Sequence, residues 1–344
     1  MRVLVIGGTG FIGPHVVRRL HTAGHDVAVY HRGYAEAELP AGVRHLHGER
    51  TELPNRQDEL SSFAPEVALD MYAMSEGDAR LVAEALRGLA SRVVAITSQD
   101  VYRAYGRLIG TEPGPPDAVP LAEDAARRER LYPYRGETPR GEDDPRRWMD
   151  EYDKIPVEQV VMGDPELSGT ILRLPMVYGP GDPQHRLHDY LKRMDDGRPA
   201  ILLSERAAAW RWTRGYVENV ADAIVLAVTD ARATSRVYNV GEPEALPLAD
   251  WVRAIGQVAR WSGEIQALPD ERLPAHLRAD LDFTQNLVAD SSSIRSELGY
   301  GEAISRDDAM LRTVAWERAH PPATVDAARF DYAAEDAALS VSDG

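Results

Sequence analysis

The segment Gly7-Gly8-Thr9-Gly10-Phe11-Ile12-Gly13 limits this chain more than any other. It lies between a short aliphatic run, Arg2–Ile6, and a stretch from Pro14 to Ala23 that carries Val16, Val17 and Leu20 on one helical face. Glycine at 7, 10 and 13 serves a tight turn, a close backbone approach to a pyrophosphate, and close packing of helix on strand. The helix N-terminus then offers unpaired N–H groups and partial positive charge to the phosphates. A glycine triplet alone is a weak signal, but the strand–turn–helix context makes it a dinucleotide-binding loop. Gly24 stands at the expected helix C-cap, and Asp26–Tyr30, Val43–His47, Val67–Met71 and Arg92–Thr97 read as further strands, with a helix over Ala79–Leu89. This alternation predicts an α/β fold built on a doubly wound parallel sheet.

Composition removes several classes of function. The 344 residues contain no cysteine, so thiol catalysis, cysteine-type zinc sites and disulfides are absent. Thirty-nine basic and 55 acidic residues give a net charge of −16, which disfavours nucleic acid and anionic membranes as partners. No apolar run approaches the roughly 20 residues that span a bilayer. The start MRVLVIGGTG has no signal-peptide pattern, and a soluble cytoplasmic protein is expected. Ten histidines are scattered without HExxH or comparable spacing, so no metal is expected. Neither a GxSxG elbow nor a Walker lysine is present.

The end of the second strand bears on cofactor choice. An NAD-preferring site places Asp or Glu there for the ribose 2′-hydroxyl. Here the residues are Tyr30-His31-Arg32-Gly33. Arg32 can pair with a 2′-phosphate and His31 can assist, which favours NADP over NAD. Glu49 and Arg50 follow the third strand, on the side that faces an adenine.

Residues 103–147 form a polar, Pro/Gly/Arg-rich excursion, either a surface loop or a lid. Regular pattern returns with a helix over Trp148–Met162, a strand at Thr170–Arg173, helices at His185–Asp196, Val217–Thr229 and Leu248–Trp261, a strand at Arg236–Val240 and a helix at Arg306–His320. The acidic, alanine-rich tail 321–344 is expected to be loosely held.

Several further segments resemble the extended short-chain dehydrogenase/reductase family, the group of NAD-dependent epimerases and dehydratases. Besides GGTGFIG these are Thr97-Ser98-Gln99-Asp100-Val101-Tyr102, Leu172-Arg173-Leu174-Pro175-Met176-Val177-Tyr178-Gly179-Pro180-Gly181, Tyr216-Val217-Glu218-Asn219-Val220-Ala221, and Asp290-Ser291-Ser292 with Leu298-Gly299-Tyr300 and Trp316. The resemblance covers roughly residues 1–320. It implies a Rossmann-type domain mainly over 1–170 and a smaller α/β substrate domain mainly over 171–320, with some segments returning to the first sheet. It further implies cofactor contacts from Gly7, Gly10, Phe11, Ile12, Gly13, Lys154 and Pro175, a nucleotide-activated sugar as the small-molecule substrate, and a homodimer formed through Ala79–Leu89 and Met149–Met162.

The chain departs from the family where the chemistry lies. The family places Tyr four residues before Lys, so that both share a helix face; Lys lowers the Tyr pKa and Tyr exchanges a proton with the substrate. Here Lys154 is followed by Glu158 as expected, but the Tyr position is Asp150 and the nearest tyrosine is Tyr152. Two residues apart on a regular helix, Tyr152 and Lys154 point about 200° apart. Three readings stay open. The helix begins late and Tyr152 swings in, with Ser98 bonding the substrate oxygen; or Asp150 moves the proton, helped by Tyr102, Tyr132 or Tyr134; or the site is redox-silent, as in atypical regulatory or RNA-binding members of the superfamily.

Substrate contacts are expected from Tyr102, Arg186 and Arg214, with Arg193 and Arg211 as further arginines of the same region. Trp210 and Trp212, beside Arg211 and Arg214, either stack a ligand or fill the core.

Overall fold

The computed structural model describes residues 1–34 and 38–340. Its strands are β1 (Arg2–Ile6), β2 (Asp26–His31), β3 (Arg44–His47), β4 (Val67–Asp70), β5 (Arg92–Ser98), β6 (Ser168–Leu174), β7 (Met176–Tyr178), β8 (Ala200–Ser204), β9 (Arg214–Tyr216), β10 (Val237–Asn239) and β11 (Glu264–Leu268). The helices of the first half are α1 (Gly13–Thr22), α2 (Gln57–Phe63), α3 (Glu76–Leu86), α4 (Arg103–Leu108) and α5 (Lys154–Gly163). They are followed by α6 (His188–Asp195), α7 (Glu205–Ala209), α8 (Val217–Thr229), α9 (Leu248–Ala259), α10 (Ser292–Leu298), α11 (Arg306–Ala319) and α12 (Tyr332–Ser340).

Seven strands form one parallel sheet in the order β10-β6-β5-β4-β1-β2-β3. The central strands β1, β4 and β5 are apolar without alternation because both faces are covered, whereas the edge strand β3 is largely exposed. Val3 and Val5 of β1 pack toward α1 and α8, whereas Leu4 and Ile6 pack toward α2, α3 and α5. Val16, Val17 and Leu20, the apolar stripe of α1, are fully buried, each stabilising the packing by about 1.5–3 kcal/mol. Strand order reverses at β1, between β4 and β2, which opens a crevice beyond their carboxyl ends. Two small parallel pairs, β11 with β8 and β7 with β9, belong to the second half.

The excursion 103–147 is tied down rather than free. Its Leu121 bridges to Ala289, and Asn239 of β10 donates to the Leu121 carbonyl at 3.0 Å. Glu112 accepts from the amides of Glu129 and Arg130, and Arg128 forms a fully buried ion pair with Asp153 at 2.9 Å.

The tail departs from expectation. Described to residue 340, it ends in α12, whose Glu335 is 1% exposed and pairs with Arg193 of α6 at 2.7 Å and with His276 at 3.1 Å. A carboxylate in the middle of an alanine-rich segment gave no hint of a buried cationic partner 142 residues away. Residues 341–344 lie outside the described residues. Glu335→Ala leaves Arg193 buried without its carboxylate and is expected to destabilise the fold by about 3–5 kcal/mol, read as a lowered urea midpoint.

Candidate active site

The glycine loop is built as its sequence requires. Gly7 has φ +81°, a conformation that side chains resist. A Cβ on Gly13 would lie 2.4 Å from the Gly8 carbonyl oxygen, so helix and loop close on each other only without one. A Cβ on Gly10 would meet nothing within 4 Å. No protein neighbour demands glycine there; the open space on that side suits an approaching ligand. The α1 N-terminus has Ile12 as N-cap and no side-chain cap, so the positive end of the helix dipole is open to an anion. The loop thus fits a dinucleotide pyrophosphate. Phe11 and Ile12 are half-buried against the core, and Phe11 approaches the Gly179–Gly181 turn.

At the end of β2, Arg32 is exposed, with its guanidinium 5.3 Å from the Tyr34 ring centroid. His31 is buried and turned toward β3, where it bonds His45 at 2.8 Å. Its ring is engaged sideways along the sheet, which corrects the expectation that it assists Arg32. Arg50 is also committed elsewhere: its two terminal nitrogens clamp buried Asp70 at 2.6 and 2.8 Å, not an adenine.

Titratable side chains gather beyond the carboxyl end of β5. Asp153 caps α5 by accepting from the Ile155 amide at 2.9 Å, so the helix starts at Lys154. Residues 147–150 make a separate 3-10 turn, and Tyr152 sits between the two helical pieces. The 200° separation of a regular helix therefore does not apply. The Tyr152 hydroxyl donates to Asp100 Oδ2 at 2.7 Å, and Tyr152 lines the same cavity as Ser98. Lys154 Nζ lies 5.4 Å from the Tyr152 ring centroid and donates to the Ala73 carbonyl and, at 3.4 Å, to Met74 Sδ.

Burial sets the electrostatics. It drives the Lys154 ammonium down to about 8, against the opposing pull of Asp100 and Asp70. It drives the Tyr152 phenol well above its usual range, helped by the Asp100 charge, and raises the Asp100 carboxyl against the bond from Tyr152. Ser98, Asp100, Tyr152, Tyr134, Pro175 and Arg186 share a cavity of about 320 Å³. Asp100 Oδ1 and Gln99 Oε1 are buried there without a hydrogen-bond partner among the described residues, acceptors placed to meet a ligand.

Other expected residues lie elsewhere. Asp150 is bound to Arg140 through both the Arg140 amide, at 2.7 Å, and its guanidinium; it anchors the excursion, which removes it as the proton-transfer group. Tyr102 is fully buried, donating to Asn239 Oδ1 at 2.7 Å and accepting from Arg173 at 3.0 Å, so it holds the sheet and cannot touch substrate. Tyr132 stacks on Arg135, whereas Tyr134 reaches the cavity and bonds Tyr105 at 2.8 Å. Arg186 pairs with Asp182 at 2.5 Å and also lines a second cavity of about 480 Å³ with Tyr190, Ser204 and Arg278. Arg214 is buried instead: it lies 4.3 Å from the Trp251 ring centroid and donates to the Trp212 carbonyl, and burial lowers it to about 10. It belongs to the wall, because the Trp251 ring and the Trp212 and Leu246 carbonyls hold its buried head. Arg193 is consumed by Glu335. Trp210 fills the core, donating to the Gln285 carbonyl, while Trp212 lines the first cavity.

Sequence reasoning missed two groups. The Glu158–Arg173 pair, bidentate at 2.7 and 2.8 Å, locks α5 to β6 beneath the site, and only the i+4 spacing of Glu158 from Lys154 hinted at it. Among the described residues His31, His45 and His47 also converge, their ligand atoms within 4.8 Å of one another. The signal was the alternating His45-Leu46-His47 on a strand, a spacing that helix-based metal motifs overlook.

A family model described as NAD dependent epimerase/dehydratase matches residues 3–109 and 131–241. The chain is 29% identical over 256 residues to a 2′-dehydrokanamycin reductase of Streptomyces kanamyceticus, covering 72% of this chain and 63% of that relative. It is 22% identical over 344 residues to a UDP-N-acetyl-alpha-D-glucosaminuronate decarboxylase of Bacillus cytotoxicus, covering 92% and 98%. In fold it resembles the UDP-glucose 4-epimerase of Thermotoga maritima solved with UDP-glucose, with TM-score 0.67, 18% identity and coverage of 93% and 99%. It likewise resembles the UDP-glucose 4-epimerase of Thermus thermophilus solved with NAD, with TM-score 0.63, 21% identity and coverage of 93% and 100%.

The Lys154 environment makes a pH prediction. Below about pH 8 the lysine is charged in both folded and unfolded chains, and the cost of burying the charge is fully present. Between that value and the ordinary 10.5 the folded state has lost the proton and the unfolded state has not, so stability rises with pH. Urea melts of wild type and Lys154→Met across this window are expected to show that rise in wild type alone.

Proposed function

This chain belongs to the NAD-dependent epimerase/dehydratase family, and within it we propose an NADP-preferring enzyme that reduces a ring ketone, or in reverse oxidises a ring hydroxyl, on a nucleotide-activated sugar. The observation that carries the reading is that Tyr152 and Ser98 line one cavity, with the Lys154 ammonium 5.4 Å from the Tyr152 ring, despite the displaced tyrosine. Gly7, Gly10 and Gly13 would hold the dinucleotide at the α1 N-terminus, with Lys154 and Pro175 toward its reactive end and Arg32 at the ribose phosphate. When bound, the nicotinamide supplies or accepts the hydride.

The protein's own part is to place and charge the substrate oxygen. Ser98 donates a hydrogen bond to it, and Tyr152 gives it a proton as negative charge develops. A phenol raised by burial and by the Asp100 charge stays protonated, which suits it to act as an acid. That state favours ketone reduction, the direction named for the Streptomyces kanamyceticus relative. Lys154, lowered toward neutral pH, is the positive charge that supports proton loss from Tyr152. The sugar occupies the cavity of about 320 Å³; Arg186, which also lines the neighbouring cavity of about 480 Å³, marks where a diphosphate would pass from one to the other.

Two measurements test this. Fluorescence titration should give tighter binding of NADPH than of NADH, with Arg32→Ala weakening NADPH alone by about tenfold or more; equal affinities refute the NADP assignment. Turnover of nucleotide-linked ketosugars, followed by NADPH absorbance against the free ketosugars, should fall by about 10²–10⁴ in Tyr152→Phe with substrate binding retained. An unaffected Tyr152→Phe enzyme would remove Tyr152 from the chemistry.

A further inference from the structure

A group of imidazoles stands apart from the proton-transfer site, at the outer edge of the large sheet. Strand β3 pairs with β2 in a parallel register that sets Val29 opposite His45 and His31 opposite His47. Alternate residues of a strand share a face, so His45 and His47 project on one side, and the register brings His31 beside them. Ring centroids of His31 lie 5.0 Å from His45 and 4.6 Å from His47, and those of His45 and His47 are 6.1 Å apart. The same stripe carries Val27, Val29 and Val43 into the core, so the three histidines crown an apolar face that fixes their backbone positions. His31 is buried while His45 and His47 are exposed, which leaves one side open to solvent.

We propose that His31, His45 and His47 form a divalent transition-metal site, with zinc-like ions as ligand and a water in the fourth position. The chain has no cysteine, and an all-imidazole set selects Zn²⁺, Co²⁺, Ni²⁺ or Cu²⁺ over Mg²⁺ or Ca²⁺. One nitrogen from each ring already falls within 4.8 Å of the others. A tetrahedral ion with M–N distances of about 2.0–2.1 Å wants those nitrogens roughly 3.4 Å apart. The 2.8 Å contact between His31 Nε2 and His45 Nδ1 must open slightly and the longest separation must shorten, both within reach of side-chain rotation. Coordination through His31 Nε2 puts the ring proton on Nδ1, which releases the long 3.2 Å contact from the Gly33 amide. The ion replaces the proton now shared between two imidazoles and staples the four-residue edge strand β3 to β2.

The test uses the full chain with any histidine tag removed, titrated with Co²⁺ and followed by visible absorption. One Co²⁺ per chain is expected, with the intense d–d bands of a four- or five-coordinate ion, displaced stoichiometrically by Zn²⁺. His45→Ala and His47→Ala should each weaken binding by about tenfold or more, whereas His320→Ala, at a surface histidine elsewhere, should not. Zinc-edge absorption spectra of the wild type should count three imidazole nitrogens, a readout that needs no variant. A faint octahedral cobalt spectrum, fewer than three imidazoles at zinc, or unchanged affinity in either folded alanine variant overturns the site.

Discussion

Glu158 and Arg173 are joined by two short charge-assisted hydrogen bonds, both residues buried, and the arrangement above them depends on that pair. Glu158 sits one turn after Lys154 on α5, and Arg173 lies near the end of β6, so the pair fixes where the helix begins relative to the sheet. Thr97 of β5 donates to the same carboxylate at 3.0 Å. Arg173 also donates to the Tyr102 hydroxyl and to the Glu123 carbonyl, which brings in β10 through Asn239 and the excursion through Glu123. A charge pair at this depth is tolerable only because nearly every polar atom finds a partner; an isolated member would leave an uncompensated charge in the core.

Upon that frame the excursion does something a loop of its composition does not advertise. It carries Arg128 to Asp153, the residue that caps α5, and the Arg128 Nε donates to the Asp100 carbonyl at 2.6 Å. The start of α5, the 3-10 segment after β5 and the Tyr152 turn are thereby held as one unit. Because that unit excludes water, burial becomes the leading influence on both Lys154 and Tyr152. It disfavours the charged form of each, lowering the ammonium and raising the phenol. The tyrosine is displaced by two positions in sequence, yet the chain brings it into the cavity that Ser98 lines by interrupting the helix rather than extending it.

Much of the fold is legible in the sequence because it rests on local rules. An apolar strand, a glycine turn and an amphipathic helix predict the first βαβ unit, and the non-alternating strands predict a sheet covered on both faces. The glycine loop is equally legible, since φ at Gly7 and the clash at Gly13 depend on neighbours within a few residues. The candidate site is less so. Arg214 and Tyr102 carry the right chemistry in the right segments, but burial turns both inward. Asp150 occupies the family position for tyrosine and is captured by Arg140, a partner ten residues earlier within the excursion.

The sequence by itself determines the doubly wound sheet, the dinucleotide loop and the absence of an acid at the end of β2, because each follows from backbone geometry and periodicity over short spans. Tertiary structure alone decides that Tyr152 rather than Asp150 shares a cavity with Ser98, that the alanine-rich tail docks through Glu335, and that three histidines from two strands share a corner of the sheet. These depend on strand register, on where a helix starts and on which distant charge a buried group finds. Such quantities are fixed by packing between segments far apart in the chain, and no pattern local to either segment encodes them.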